Sequence, residues 1–362
     1  MTHYRNHYCA QIKTYNMKNF QPAILGSLGR GMLFLFLVLN SCSKDLIYFP
    51  KSVQEEVEKT LDNGYDGIMV CVNQSGKTSL YSAGWNNREN HIPADPHSLF
   101  KIASISKLYI AAATTKLIAD QQLSLDNTLA QLIPEVANEI EYADQITLRM
   151  MLQHRSGIPE YIYEPDFPNR DPQESYLETA SLIFNKSADF KPDKKYSYSN
   201  TNYLLIGEIL DRTLGYSHHD YIREEIFKPL DLKNTFSLLS EVDSKDVMSG
   251  YYIGYEGDLK MDDHTRPGGS MIASAEDVAI FLRALIDGTL LNDEEQTIYS
   301  SVYEYEHTGW LNGYTSIARY HSDIDAVVVQ FVNTSKGEMF WIGLERSYNR
   351  IVHAEKKESF KQ

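Results

Sequence analysis

The sequence predicts an α+β fold in which one antiparallel sheet is assembled from both ends of the chain, with a mainly helical lobe inserted between them. Three observations carry this reading. Near the start, two strand-like runs, residues 67–73 and 78–84, flank the turn Gln74-Ser75-Gly76-Lys77. Near the end, a second pair, 314–320 and 324–332, flanks Ser322-Asp323. Between them, over about 115–290, apolar residues recur at helical spacing and the loops are rich in Pro, Asp and Asn.

The elements follow in order. Residues 1–42 carry Arg5, Lys13, Lys18 and Arg30 and no acidic residue, and they end in the apolar run MLFLFLVLNSC, Met32 to Cys42. A run this short, with its basic residues upstream, has the layout of a secretory signal peptide. Leu39-Asn40-Ser41-Cys42 resembles the lipobox of bacterial lipoproteins, in which the cysteine becomes the lipidated first residue, although Asn40 stands where a small residue is usual. A simple signal peptide or an uncleaved anchor is the alternative. Met17-Lys18 would make a more usual leader start than Met1. The expected location is therefore outside the cytoplasm, with a lipid anchor at Cys42 and residues 43–51 as a tether.

Removing the leader's four basic residues takes the formal net charge from −15 to −19. No basic stripe compensates, so a nucleic-acid partner is not expected. Of the three cysteines, Cys9 falls in the leader, Cys42 is the expected lipid site, and Cys71 lies inside the apolar run GIMVCVN as a core residue.

Residues 52–362 form the expected domain, with an α/β lobe over 52–114 and 291–362 and a mainly helical lobe over 115–290. Ser52 with Glu55 is a capping box, and Val53, Val57 and Leu61 repeat at helical spacing, so 52–63 reads as an amphipathic helix. Further helices are expected at 148–154, 173–184, 203–213, 218–227 and 275–287, with a terminal amphipathic helix at 340–353. His218, His219 and Asp220 invite a metal reading, but adjacent helical side chains diverge by about 100°, so none is assigned.

The chemistry starts in FKIASISKLYI, residues 100–110, read as an amphipathic helix. Ser104 and Lys107 are three apart and share its inward face, which brings a hydroxyl and an amine within reach. A serine hydroxyl is a poor nucleophile at neutral pH and needs such a base beside it. Ser106 points elsewhere and reads as structural. Alone, Ser-x-x-Lys is a weak signal. Two more elements strengthen it: Tyr198-Ser199-Asn200 ahead of an apolar helix in YSYSNTNYLLIGEIL, and HTGWLNGY, residues 307–314, leading into a strand.

In this order the three elements resemble the serine beta-lactamase and penicillin-recognising hydrolase superfamily, in particular its class C beta-lactamase-related branch with D-alanyl-D-alanine carboxypeptidase and esterase-like members. The segments ITLRMMLQHRSGIP (146–159), FKP (190–192), IFKPLDLKNT (226–235) and GGSMIASAEDVAIFLRAL (268–285) extend the resemblance, which runs from about Val53 to the end. It implies a beta-lactamase/transpeptidase-like fold and an acyl-enzyme on Ser104. By the same resemblance Lys107 and Tyr198 would be the catalytic partners, either of them the general base: burial would lower the lysine, and a cation beside Tyr198 would favour its phenolate. His307, Thr308 and Gly309 would bind substrate, Asn200 would bind the substrate amide or orient Lys107, and the backbone amides of Ser104 and Trp310 would form the oxyanion hole.

His307 departs from the lysine that efficient beta-lactamases place there, so carboxylate recognition should be weaker. The bulk of Trp310 should narrow the site, and Tyr314 is a candidate for the wall of the acyl pocket. The resulting expectation is an exported serine hydrolase acting on an ester or amide, with D-amino-acid peptides of cell-wall origin among its candidate substrates. The alternatives are a true class C beta-lactamase or a non-turnover penicillin-binding or sensor protein. No metal or organic cofactor is implied, the partner is a small-molecule or peptide acyl substrate, and the oligomeric state is open.

Overall fold

The computed structural model describes residues 52–337 and 339–359. The leader, Cys42 and the tether lie outside these residues. Helix α1 (Val53–Thr60) opens where the Ser52 hydroxyl accepts the Glu55 N–H at 3.2 Å, and a 3-10 turn (Leu61–Asn63) ends it. Strands β1 (Gly67–Gln74) and β2 (Lys77–Asn87) meet at Ser75-Gly76, where φ is 48° and 79°. Two successive positive φ values make the hairpin turn whose twist matches the flanking strands.

A short β3 (Ile92–Pro93) edges β2, and β4 (His307–Leu311), β5 (Tyr314–His321) and β6 (Ala326–Val332) come from the far end of the chain. The sheet order is β3-β2-β1-β6-β5-β4, antiparallel throughout. The two ends of the chain therefore meet at its centre, with Cys71 opposite Val329. Central strands buried on both faces explain the unbroken apolar runs. Ile68, Val70, Val72, Val328 and Val332 pack against α1 and the terminal helix, while Met69, Cys71, Val327, Val329 and Phe331 face the main core.

Helix boundaries moved from the expected ones where caps or tertiary contacts decided them. The helix expected at 148–154 is Leu148–Leu152, and that at 173–184 is Tyr176–Ala180, opened by a Ser175–Glu178 capping box and closed by a 3-10 turn. Residues 218–227 divide into an α-helix (His218–Ile222) and a π turn (Arg223–Phe227). An unanticipated helix, Asp293–Val302, starts at a capping box between Asn292 and Glu295. The helix at Ala275–Asp287 has its expected bounds but packs on β1 and β6, so it belongs to the sheet's layers rather than to the helical lobe of 115–290. Arg283 on it bonds the Asn73 carbonyl (3.0 Å) and Asp325, pinning it across β1 and the β5–β6 turn. The terminal helix, Met339–Ser359, runs beyond the expected 340–353. No helix among the described residues is long and apolar enough to cross a membrane.

The segment with Ser104 differs most from expectation. The α-helix here, Ser106–Ala119, is buried on almost every face rather than amphipathic, and Ser104 precedes it in a 3-10 turn, Ala103–Ile105. Edge strand β4 lies directly against that turn. A Cβ on Gly309 would stand 2.2 Å from the Ser316 Oγ and 2.4 Å from the Ile102 carbonyl oxygen, so only glycine permits the approach. Gly309→Ala should therefore destabilise the protein by about 1–3 kcal/mol through overpacking. A thermal melt should show a fall of several degrees in Tm, whereas Gly76→Asn, in the open hairpin turn, should leave Tm nearly unchanged.

Candidate active site

Ser104 sits on a strained turn. Ala103 before it has φ 53°, a left-handed value that a residue with a Cβ adopts only when its surroundings impose it. The Ser106 hydroxyl donates to the Ala103 carbonyl (2.6 Å) and accepts the Met271 N–H (3.2 Å), and the Ile102 N–H donates to the Met271 carbonyl (3.1 Å). Ser106 is thus structural, as expected. Ser104 lines a groove of about 2350 Å³.

Lys107, one turn on, has no exposed surface. Its Nζ lies 3.1 Å from Ser104 Oγ, 2.8 Å from Asn200 Oδ1 and 2.8 Å from the Gly268 carbonyl oxygen. Two of these partners can only accept. A neutral amine has two N–H bonds and one lone pair, so with both N–H groups given to Asn200 and Gly268 the lone pair faces Ser104. Burial lowers the pKa of Lys107 to about 7, with the charge of Glu160 acting in the opposite direction.

The Tyr198 hydroxyl donates to Ser104 Oγ at 2.8 Å from the other side. Desolvation where it meets the cluster, and then its neighbour Tyr303, hold it well above the usual phenol range although the residue is 37% exposed, so at neutral pH it is a donor and not a phenolate. Its ring is stacked on His154 at 4.4 Å between centroids, and the Ser199 N–H donating to His154 Nδ1 (3.1 Å) holds that imidazole in place.

Asn200 is the first residue of helix Asn200–Leu214, three residues longer at its start than expected. Its amide bridges Lys107 and the buried carboxylate of Glu160. On β4, His307 stacks on Tyr303 and donates from Nδ1 to the Thr308 carbonyl, which leaves Nε2 as an acceptor. Burial first, then the charge of Lys107, lower its pKa to about 3. Thr308 and Trp310 line the groove, and Gly309 lies beneath them against the nucleophile's turn.

One expectation fails. Tyr314 is fully buried, packs edge-on against Phe100 and donates to the Met248 carbonyl at 2.8 Å, so it is a core residue and not part of the groove wall. Three participants had not been assigned to the site: His154 under Tyr198, the Gly268 carbonyl on Lys107, and Glu160 behind Asn200. His154 and Gly268 lie in the segments 146–159 and 268–285 that carry the resemblance, and Glu160 is a single charge inside the otherwise uncharged run IPEYIY, but no local pattern assigns their contacts.

Residues 53–301 match the family model described as Beta-lactamase. Protein flp of Staphylococcus aureus (strain MW2) is 27% identical over 200 residues, 54% of this chain and 40% of that protein. An Escherichia coli (strain K12) protein provisionally named a D-alanyl-D-alanine carboxypeptidase is 24% identical over 242 residues, 57% of this chain and 55% of that one. The chain thus spans about half the length of these relatives. Among solved structures, D-amino acid amidase from Ochrobactrum anthropi SV3, complexed with L-phenylalanine amide, superposes with a TM-score of 0.73 at 24% identity, covering 84% of this chain and 98% of that one. The penicillin-binding protein from Bacillus halodurans gives 0.67 at 19% identity, over 83% and 98% of the two chains. With more than half of its length matched by the family model, and the serine, lysine, tyrosine and asparagine gathered into one hydrogen-bonded cluster, this chain belongs to the beta-lactamase family.

Proposed function

We propose that the protein is an exported serine hydrolase that forms an acyl-enzyme on Ser104 and cleaves small D-amino-acid amides or esters. The observation that carries this reading is the position of Ser104 Oγ between a lysine amine at 3.1 Å and a tyrosine hydroxyl at 2.8 Å. In this reading neutral Lys107 takes the Ser104 proton as Oγ bonds to the carbonyl carbon. The developing oxyanion is met by the backbone N–H groups of Ser104 and Trp310. The new lysine charge is held by Asn200 and the Gly268 carbonyl. When the carbon–nitrogen bond breaks, the Tyr198 hydroxyl protonates the departing amine and is reprotonated from Lys107. Water then attacks the ester on Ser104, with the same groups working in reverse.

The substrate class follows from His307. A neutral imidazole that offers an acceptor provides no fixed positive charge for a carboxylate beside the scissile bond. That favours an amide or ester over a bicyclic drug carboxylate or a carboxyl-terminal dipeptide, and weighs against a true beta-lactamase. The names of the relatives, a D-amino acid amidase and a D-alanyl-D-alanine carboxypeptidase, support the D-configured class. Export and a lipid anchor on Cys42 rest on the layout of residues 1–42.

Four outcomes are expected. A fluorophosphonate should add one phosphonyl group per chain by intact mass, and Ser104→Ala should abolish the adduct; an unlabelled but folded wild type would refute the assignment. Because the base must be neutral, the labelling rate should rise with pH through a midpoint near the lysine's value of about 7. His307→Lys should raise acylation by a chromogenic cephalosporin at least about tenfold by adding a partner for its carboxylate, read by stopped-flow absorbance. Cys42→Ala should end incorporation of labelled palmitate and move the protein from the membrane to the soluble fraction.

A further inference from the structure

Glu160 lies eight residues beyond the end of the helix Leu148–Leu152 and is the one charged residue of the run 158–163. It is 8% exposed. One carboxylate oxygen accepts the Ile162 N–H at 3.2 Å, and the other accepts both the backbone N–H of Asn200 and, at 3.2 Å, its side-chain Nδ2. The residues beside it are tied, like Glu160 itself, to the helix Asn200–Leu214. Ser156 Oγ donates to Asn202 Oδ1 at 2.6 Å, and Thr201 Oγ1 donates to the Pro159 carbonyl at 2.7 Å while accepting the Tyr161 N–H at 3.0 Å. Three consecutive residues at the head of that helix are thus fastened to the Glu160 segment.

The consequence lies in the amide of Asn200. An ionised carboxylate only accepts, so it selects the NH2 end of the amide and turns Oδ1 toward Lys107. With the amide reversed, oxygen would face carboxylate and NH2 would face the amine, losing both bonds.

We propose that Glu160 is a positioning residue that fixes the orientation of the Asn200 amide and, through that amide and its own charge, sets the proton occupancy of Lys107. The proposal rests on Lys107 being the base in acylation. The groups that face Lys107 are Ser104, Tyr198, Tyr203, His154, His307, Asn200 and Glu160, and Glu160 is the one acid among them. On its other side Glu160 faces Tyr163, a phenol that burial holds above its usual range. No second acid among these groups could substitute for it. Burial lifts Glu160 to about 7 against its N–H donors and Lys107, so the two groups titrate as a pair over the same range.

The sign is determined by the charge. Ionised Glu160 stabilises protonated Lys107, so removing that charge makes the lysine easier to deprotonate. In Glu160→Gln the acid limb of fluorophosphonate labelling should move down by about one pH unit, and the plateau rate should fall about tenfold because the amide of Asn200 loses its acceptor-only partner. Glu160→Asp keeps the charge but shortens the reach: its limb should stay near that of the wild type while its plateau falls. Thr201→Val, which cuts the neighbouring tie without touching a charge, should lower Tm and leave the limb in place. A limb that does not move in Glu160→Gln overturns the proposal, whatever happens to its stability. If that variant does not fold, a wild-type plateau in Glu160→Asp overturns it. A wild type that labels without an acid limb near pH 7 removes the base assignment and this proposal together, so the two failures are distinguishable.

Discussion

A lysine with no exposed surface is the constraint around which the rest of the site is arranged. Stripping water from an ammonium costs several kcal/mol unless other groups replace it. Here the replacements come from three separate places: the hydroxyl of Ser104 from its own turn, the amide of Asn200 from the head of a helix, and the carbonyl of Gly268 from the approach to another. None of these lies near Lys107 in sequence except Ser104. The packing of the helical lobe onto the sheet is what brings them together, so burial of this one amine and assembly of the cluster are the same event.

The sheet supplies rigidity on the opposite side. Six antiparallel strands, clamped between α1 and the terminal helix on one face and Ala275–Asp287 on the other, hold edge strand β4 in a fixed position. Gly309 lets that edge touch the turn bearing Ser104, and the bond from Ser316 to the Ile102 carbonyl (3.1 Å) fastens the two. The left-handed Ala103 is tolerated because Ser106 and Met271 bind the backbone on either side of it. Strain concentrated at one residue and rigid support around it keep the hydroxyl within reach of both of its partners.

Electrostatically the site is poised rather than highly charged. Desolvation in the cluster shifts Lys107, Tyr198, His154 and His307 toward their neutral forms, and Glu160 is pushed the same way, to about 7. A proton can therefore pass between hydroxyl, amine and phenol without creating an uncompensated charge. Stacking of Tyr198 on His154 keeps the phenol aimed at Ser104, a role that needs a flat ring with no charge of its own.

The order of elements, the central hairpin, the pairing of the two chain ends and the identities of Ser104, Lys107, Tyr198 and Asn200 could be read from the sequence, because they rest on local pattern: apolar runs, turn residues and short motifs. Ends of helices such as Tyr176–Ala180 were less legible, since capping and neighbouring packing decide them. The burial of Ser106–Ala119 on nearly every side, the core position of Tyr314 and the attachment of Ala275–Asp287 to the sheet depend on what packs against each element, which no local pattern records. The same holds for Glu160 and Gly268, whose roles exist only through contacts with residues 40 and 161 positions away. The sequence by itself determined which chemical groups are present and on what kind of element; only the tertiary structure decided which of them are dry, which way the Asn200 amide faces and hence where the proton of Ser104 can go, because desolvation and hydrogen-bond direction are properties of the packed whole.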